Sequence, residues 1–533
     1  MKRIYFNSLG TVTTLALTVM VLSTSCTKDF EDINTNKNKV VTIGPSELPF
    51  LFSKAQSVAT INQGNYQVAQ NLFADQYAQY YACVATYFPS DRNVIRMDWV
   101  GAAFNPIYTQ VVPQLQTLFA NTDPSSPEYA LSNVIWVLAF SKVTDYWGPI
   151  PYFQAGTPGS SVPYDAQDLI YDDFFNRLTA AIEVLKANTG AKPFGSADLI
   201  YGGDVSKWLK FTNTLRLRLA LRISKADPAR AQAEAEAAVA DGVMMKSPDD
   251  DALIKRSVKG DDGNGLSIMS DWNEFRMSAS MESYLKGYED PRLPIYFLPV
   301  GATQANPGGN GKYDGVRNGL SSTQLTQTVN LATNNSHVGA RWTSPAFGGV
   351  GNHNETPQNV IESAEAYFLR AEGKLLNWNM GPESAKELYE AGITNSLAQW
   401  GISDAGVVSS YISSTKTPIA PGDFLSSPPV STIRVSWETD PSKQLQQIAT
   451  QKWLALFPDG MEAWADYRRS RYLVLYPVVN SENTDIKNTT TEYIRRIPFL
   501  ENETIVNGPA VEDAKNLLGG PDKVTTPLWW DKN

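Results

Sequence analysis

The chain has 533 residues, with 55 acidic against 45 basic side chains, a formal charge of −10, two cysteines and two histidines. This acidic balance does not suit nucleic acid, whose phosphates demand a basic face, and the scarcity of thiols and imidazoles excludes a Cys/His zinc cage. Thirteen tryptophans and 24 tyrosines are many for a chain with 19% charged residues, and most are expected in the core, where large aromatics dominate burial energetics.

The N terminus reads as a targeting segment. Lys2 and Arg3 precede a mostly apolar stretch from Thr11 to Leu22, too short for a bilayer, which needs about 20 apolar residues. Ser23, Thr24 and Ser25 then lead into Cys26. That order resembles a bacterial lipobox, with Ser23 in the slot usually held by leucine and Leu22 one place further back. Cys26 is therefore expected to carry lipid after removal of residues 1–25. The mature chain would have 508 residues and, having lost Lys2 and Arg3 but no acid, a formal charge of −12. Each buried methylene adds about 0.8 kcal/mol and one acyl chain binds only marginally, so two or three chains would anchor the protein durably without spanning. Lys28, Asp29, Glu31 and Asp32 resemble the acidic export signal of lipoproteins on the outer face of the outer membrane. Only Cys83 then remains, so no internal disulfide forms.

The rest reads as helical. Segments 73–88, 129–147 and 168–190 carry apolar residues at three- and four-residue spacings, with Gly190 as a stop. The stretch 214–222 alternates leucine with arginine as a strand would, yet Trp208, Phe211, Leu215 and Leu219 make a helical stripe, and 227–242 is strongly helix-forming. Both are read as helices joined at Asp227-Pro228, and Arg216 and Arg222, inside the apolar arc, should have carboxylate partners. In 359–401, Ala364, Phe368, Ala371 and Leu375 form one stripe, Gly381-Pro382 a turn, and Ala385, Leu388, Tyr389 and Gly392 a second stripe. This is a helical hairpin much like a tetratricopeptide unit, with 129–187, 204–241 and 443–472 as further, irregularly spaced pairs. The fold class is thus mainly α, a tetratricopeptide-like scaffold with long irregular loops. Length alone gives a prior of about three domains, but the pattern reads as a signal (1–25), a lipidated linker (26–45) and a single helical domain (46–533) with insertions at about 245–358 and 402–435.

Long turn-rich stretches at 155–166, 301–358 and 402–435 separate the pairs, and such loops are uncommon unless functional or disordered. Trp272, Tyr313, His337, Trp342 and His353 lie within or beside them, which points to function on loops carried by a helical frame. The tests for chemistry fail. Gly308–Lys312 is followed by Tyr313 where a phosphate loop needs Ser or Thr. His337 and His353 sit in Gly/Asn-rich loops without a nucleophile elbow. The acidic run 247–252 lacks the spacing of a hand-type calcium loop. No metal, cofactor or catalytic residue is expected.

Seven dispersed blocks carry a resemblance: CTKDFEDINTN (26–36), TDYWGPIPY (144–152), KWLKFTNTLRLRLALRIS (207–224), YEDPRLPIYF (288–297), AEAYFLRAEG (364–373), QKWLALFPDGMEAWADYRRSRY (451–472) and TPLWWDK (526–532). Together they resemble the SusD/RagB family, in its SusD-like nutrient-binding lipoprotein branch. The likeness runs in order from Cys26 to the C terminus, with departures at RRSRY (468–472) and RRIPFLENE (495–503). The resemblance implies a helical body, lipid-anchored in the outer membrane and facing the exterior, that acts as lid to a SusC-like TonB-dependent transporter. It would hold an oligosaccharide or glycan, or in some members a peptide, and perform no covalent chemistry. A surface-anchored hydrolase is the rival class. Sugar rings stack their C–H faces on Trp and Tyr, so Trp99 near the turn 88–93, where family members often place a binding aromatic, is a candidate contact, with Tyr87 and Arg92 beside it, and Trp272 and Trp342. Trp464, Arg468 and Arg469 read instead as a buried ion pair or stack.

If Cys26 is the anchor, Cys26→Ser should abolish incorporation of labelled palmitate and release the protein from the membrane fraction. Equal labelling of both forms would refute the anchor.

Overall fold

Apolar side chains on a 3.6-residue period, a capping residue at the start and a tight turn at the end suffice to make the helix pairs of this chain. The computed structural model describes residues 43–157 and 161–532. The expected signal segment, Cys26 and the linker as far as residue 42 lie outside the described residues. Pro49–Asn533 form one compact unit. Among the described residues, no helix is long and apolar enough to cross a membrane.

Helix α1 (Pro127–Trp147) starts at Ser126, whose hydroxyl accepts from the Tyr129 amide at 3.2 Å, and is buried on nearly every side. It packs against α2 (Gln167–Ala187). That helix ends before Asn188, so Gly190 lies in the turn beyond the stop. Helix α3 (Val205–Arg222) contains the Leu/Arg alternation, and its Asp204 cap accepts from the Ser206 amide at 3.0 Å. Helix α4 (Pro228–Asp241) follows, capped by Asp227. After α5 (Gly265–Asp271) comes the hairpin of α6 (Ser363–Leu375) and α7 (Ala385–Gln399). A capping box between Ser384 and Glu387 opens α7, and the Gly381 turn has φ +97°. A Cβ on Gly392 would lie 2.8 Å from the Phe368 ring, so the small residue is what lets the pair close. Helices α8 (Pro441–Ala455) and α9 (Gly460–Ser470) follow, and two shorter helices, Glu501–Val506 and Gly508–Leu518, come after them.

The described strands are short and form two antiparallel ribbons: β1 (Tyr81–Cys83) with β3 (Phe275–Met277), and β2 (Ala252–Ile254) with β4 (Gln358–Ile361). The first corrects the helix expected over 73–88. A single turn, Ala74–Tyr77, is followed by Gln79 at φ +53° and then by β1. Distant partners fix that break: Gln79 donates to the Tyr476 carbonyl at 2.6 Å and accepts from Ser280 at 2.5 Å. Tertiary bonding overrides a helical period here.

Charge is buried in quantity, and it is paired. Arg216 meets Glu234 of α4 at 2.6 Å, and Arg218 meets Glu365 of α6 at 2.5 and 2.7 Å. Arg222 meets Glu462 of α9 at 2.5 Å and lies 3.2 Å from Asp145 of α1. The carboxylates expected for Arg216 and Arg222 are therefore present. Arg468 stacks 3.5 Å over Trp464, and Arg469 grips Glu372 through two bonds of 2.6 and 2.7 Å.

Asp466 holds Lys452 and Arg469, each at 2.7 Å. Burial pushes its carboxyl up, but Lys452 and Arg469 outweigh that and hold it well below the usual carboxylate range. Asp466→Asn leaves two buried cations sharing Glu372 and should cost about 3–5 kcal/mol, read from urea midpoints at pH 7. The depressed carboxyl contributes fully above its unfolded value of about 3.9 and loses its share as pH falls towards its folded value. The gap between wild type and variant should therefore narrow below about pH 4; a gap constant down to pH 2 would refute this account.

Candidate binding site

The β1–β3 ribbon brings two separately predicted segments together. Its register pairs Tyr81 with Met277, Ala82 with Arg276 and Cys83 with Phe275, and Val84 N–H continues it to the Glu274 carbonyl at 2.9 Å. The chain leaving β1 therefore runs beside the turn that precedes β3. Tyr87 stands on the first and Trp272 on the second, 66% and 51% exposed. Trp272 closes α5, and Asn273, at φ +63°, turns the chain into the ribbon.

Three aromatic rings meet at this end. Tyr87 contacts Phe88 with centroids 4.6 Å apart, and Phe88 meets Trp99 edge-on at 5.6 Å. Trp99, half-buried in the short helix Met97–Val100, carries the Arg96 guanidinium 4.6 Å from its ring centroid. Arg96 is in turn paired with Asp98 at 3.0 Å. Glu274 ties the group together: one carboxylate oxygen accepts from the Tyr87 hydroxyl and the other from Gln67 Nε2 at 2.7 Å. Nearby, the buried Arg276 donates to Asn273 and to the Ala332 carbonyl. It thereby moors a loop with two further exposed apolar side chains, Val329 and Leu331, to the Trp272 turn. Arg276 pairs with no carboxylate among the described residues, and burial lowers its guanidinium to about 9.

Two of the five candidate contacts are elsewhere. Arg92 is buried, its Nε 2.5 Å from Glu482 and its Nη1 donating to the Phe88 and Leu320 carbonyls at 3.3 Å each. It pins the 88–93 turn from below and presents no face to a ligand. Trp342 is 1% exposed, packed against Trp400 at 5.6 Å and Phe457 at 5.7 Å. Its environment is the core, because two rings distant in sequence cover it. Tyr87, Trp99 and Trp272 remain available. Phe88 and Glu274 join the candidate group without having been singled out in the sequence, Phe88 next to Tyr87 and Glu274 two residues after Trp272. Val329 and Leu331 were not singled out in the sequence; the Arg276 bond to Ala332 and the Met277 N–H bond to the Ser336 carbonyl bring their loop here.

The remaining motifs are occupied structurally. His337 is buried, which lowers its pKa well below the ordinary value, and bonds the Ser270 carbonyl at 2.9 Å. His353 pairs with Asp271 at 2.7 Å. Asp250 holds Lys210 at 2.8 Å, and Asp251 accepts from Ser247 and Ser363. Among the described residues no cluster of three or more His, Cys, Asp or Glu side chains could hold a metal.

A family model described as SusD-like, "Susd and RagB outer membrane lipoprotein", matches residues 32–531. The chain is similar to the solved structure of a chitin-binding SusD homologue from Flavobacterium johnsoniae, at 34% identity and TM-score 0.80, covering 91% of this chain and 99% of that one. It is also similar to SusD homologues from Bacteroides thetaiotaomicron (29% identity, TM-score 0.79, 91% and 99% covered) and Bacteroides vulgatus (29%, 0.80, 92% and 98%). A comparison with curated protein sequences finds no match.

The Tyr87 hydroxyl, bonded to Glu274 and slightly desolvated, is raised to about 12. Glu274→Gln removes the negative acceptor and should return that hydroxyl towards its ordinary value of about 10. Tyrosine 13Cζ NMR, assigned with Tyr87→Phe, reads the shift; an unchanged titration would disprove the pairing.

Proposed function

The chain belongs to the SusD-like family of outer-membrane lipoproteins, and from that premise we propose that it captures an oligosaccharide at the cell surface and passes it to a SusC-like TonB-dependent transporter, over which it acts as a lid. Lipid on Cys26 would hold it at the outer leaflet, facing outwards. The observation that carries the reading is the aromatic cluster of Tyr87, Phe88 and Trp99 beside Trp272, fixed around Glu274. Flat rings accept the C–H faces of sugars, and a carboxylate with neighbouring amide and hydroxyl groups accepts or relays hydrogen bonds to their hydroxyls. One relative of known structure is described as chitin-binding, so oligomers of N-acetylglucosamine are the first ligands to try. The chemistry asked of the site is grip and release, with no bond broken. A lid of this kind would bury more than about 1,000 Å² against its barrel, as stable interfaces do.

Isothermal titration with chito-oligosaccharides and a panel of other glycans tests the reading. Trp99→Ala and Trp272→Ala should each weaken retention about tenfold, a loss of about 1.4 kcal/mol, with the fold intact. Trp342→Ala should instead lower stability by about 3–5 kcal/mol, by emptying core space. Retention of peptides in place of glycans would reassign the ligand, and release of reducing ends from a bound polymer would replace the binder with a hydrolase.

A further inference from the structure

A second cavity lies behind the 88–93 turn, where the chain 475–494 crosses α9. Gln76, Tyr77 and Asp91 line it together with Trp464, Tyr467 and Tyr493. It leaves about 110 Å³ for the centres of water-sized molecules, several times the 10–15 Å³ that one water needs. Its walls are aromatic: Tyr77 packs on Trp464 at 5.1 Å and Tyr467 on Tyr493 at 5.4 Å.

One of its polar side chains is left wholly unmatched. Gln76 is 3% exposed, yet among the described residues neither Nε2 nor Oε1 has a hydrogen-bond partner. The Tyr77 hydroxyl is also buried and without a partner among the described residues. Neighbouring Gln79 shows the contrast, with its donor and acceptor both matched by protein groups. A buried side-chain amide left unmatched costs free energy unless water or a ligand satisfies it. A carboxamide offers donors beside an acceptor, and a trans amide can meet either, its C=O accepting from Nε2 or its N–H donating to Oε1. Exchanging O and N of Gln76 leaves that complementarity intact, so it does not depend on which way the amide is turned.

We propose that this crevice is a second ligand site, separate from the surface aromatics, that takes one small amide-bearing group. Gln76 pairs with the ligand amide, the Tyr77 hydroxyl supplies a further polar contact, and the body of the ligand lies against Tyr77 and Trp464. Such an amide is found in an acetamido sugar and in a peptide unit, and the probes separate the two sources. The inference does not rest on the proposed surface site.

The test is calorimetric titration of the purified full chain with N-acetylglucosamine, with N-acetylalanine methylamide, and with glucose, which lacks the amide. At least one amide probe should bind with millimolar affinity and glucose at least tenfold more weakly. The sugar probe alone would assign the sugar source, the dipeptide mimic alone the peptide source, and both the shared amide. Gln76→Met, similar in shape but without the amide, should abolish binding. Thr490→Trp, at an exposed lining position, blocks the crevice and leaves Gln76 in place should the first variant misfold. Trp99→Ala with Trp272→Ala should leave this binding unchanged, which distinguishes its failure from failure of the surface site. Equal binding of glucose, no binding of either amide, or binding indifferent to both crevice variants would overturn the proposal and leave a water-filled cavity.

Discussion

Three arginines on α3 face inwards, and each finds a carboxylate on a different helix: Glu234 on α4, Glu365 on α6, Glu462 on α9. An ionised group taken out of water without a partner is very costly, and removing one member of a buried pair exposes that cost in full. The helices of this body are therefore fixed in relative position by geometry as well as by greasy contact. Bidentate pairing, as between Arg218 and Glu365, tolerates little sliding. A second set on α6, α8 and α9, built from Glu372, Lys452, Asp466 and Arg469, does the same two turns further along that face of α6.

On this frame the surface aromatics are held by backbone pairing. Tyr87 and Trp272 flank a paired ribbon, Arg92 fastens the turn beneath them, and Glu274 fixes the Tyr87 hydroxyl and the Gln67 amide. A side chain already confined loses less freedom on binding than one on a loose loop. The family assignment and the similarity to SusD homologues fit a rigid helical body carrying its specificity on loops.

The helix pairs were legible because amphipathic periodicity is a local property. Even the misleading Leu/Arg alternation over 214–222 could be resolved from Trp208, Phe211, Leu215 and Leu219 upstream, and buried arginines implied acids. Segment 73–88 was not legible, since Gln79 is turned by Tyr476 and Ser280, far along the chain. The site was half visible for the same reason. Trp272 and Trp342 stand in equally glycine- and serine-rich surroundings, and only Trp400 and Phe457 decide that one is core while the other faces water. Exposure is settled by distant neighbours, and a local reading carries no information about them.

The span of the α3 pairings also bears on how the molecule assembles. Arg218 and Glu365 are 147 residues apart, and Arg222 and Glu462 are 240 apart. In a solenoid each repeat touches only its neighbours and structure can propagate from one end. Here Arg222 of the central helix has only Asp145 until residue 462 arrives, so the first helix pairs are not finished units on their own. Chains ending before α9 would keep Asp145 beside Arg222 but lack Glu462, its closer carboxylate, so their innermost guanidinium would be only half matched.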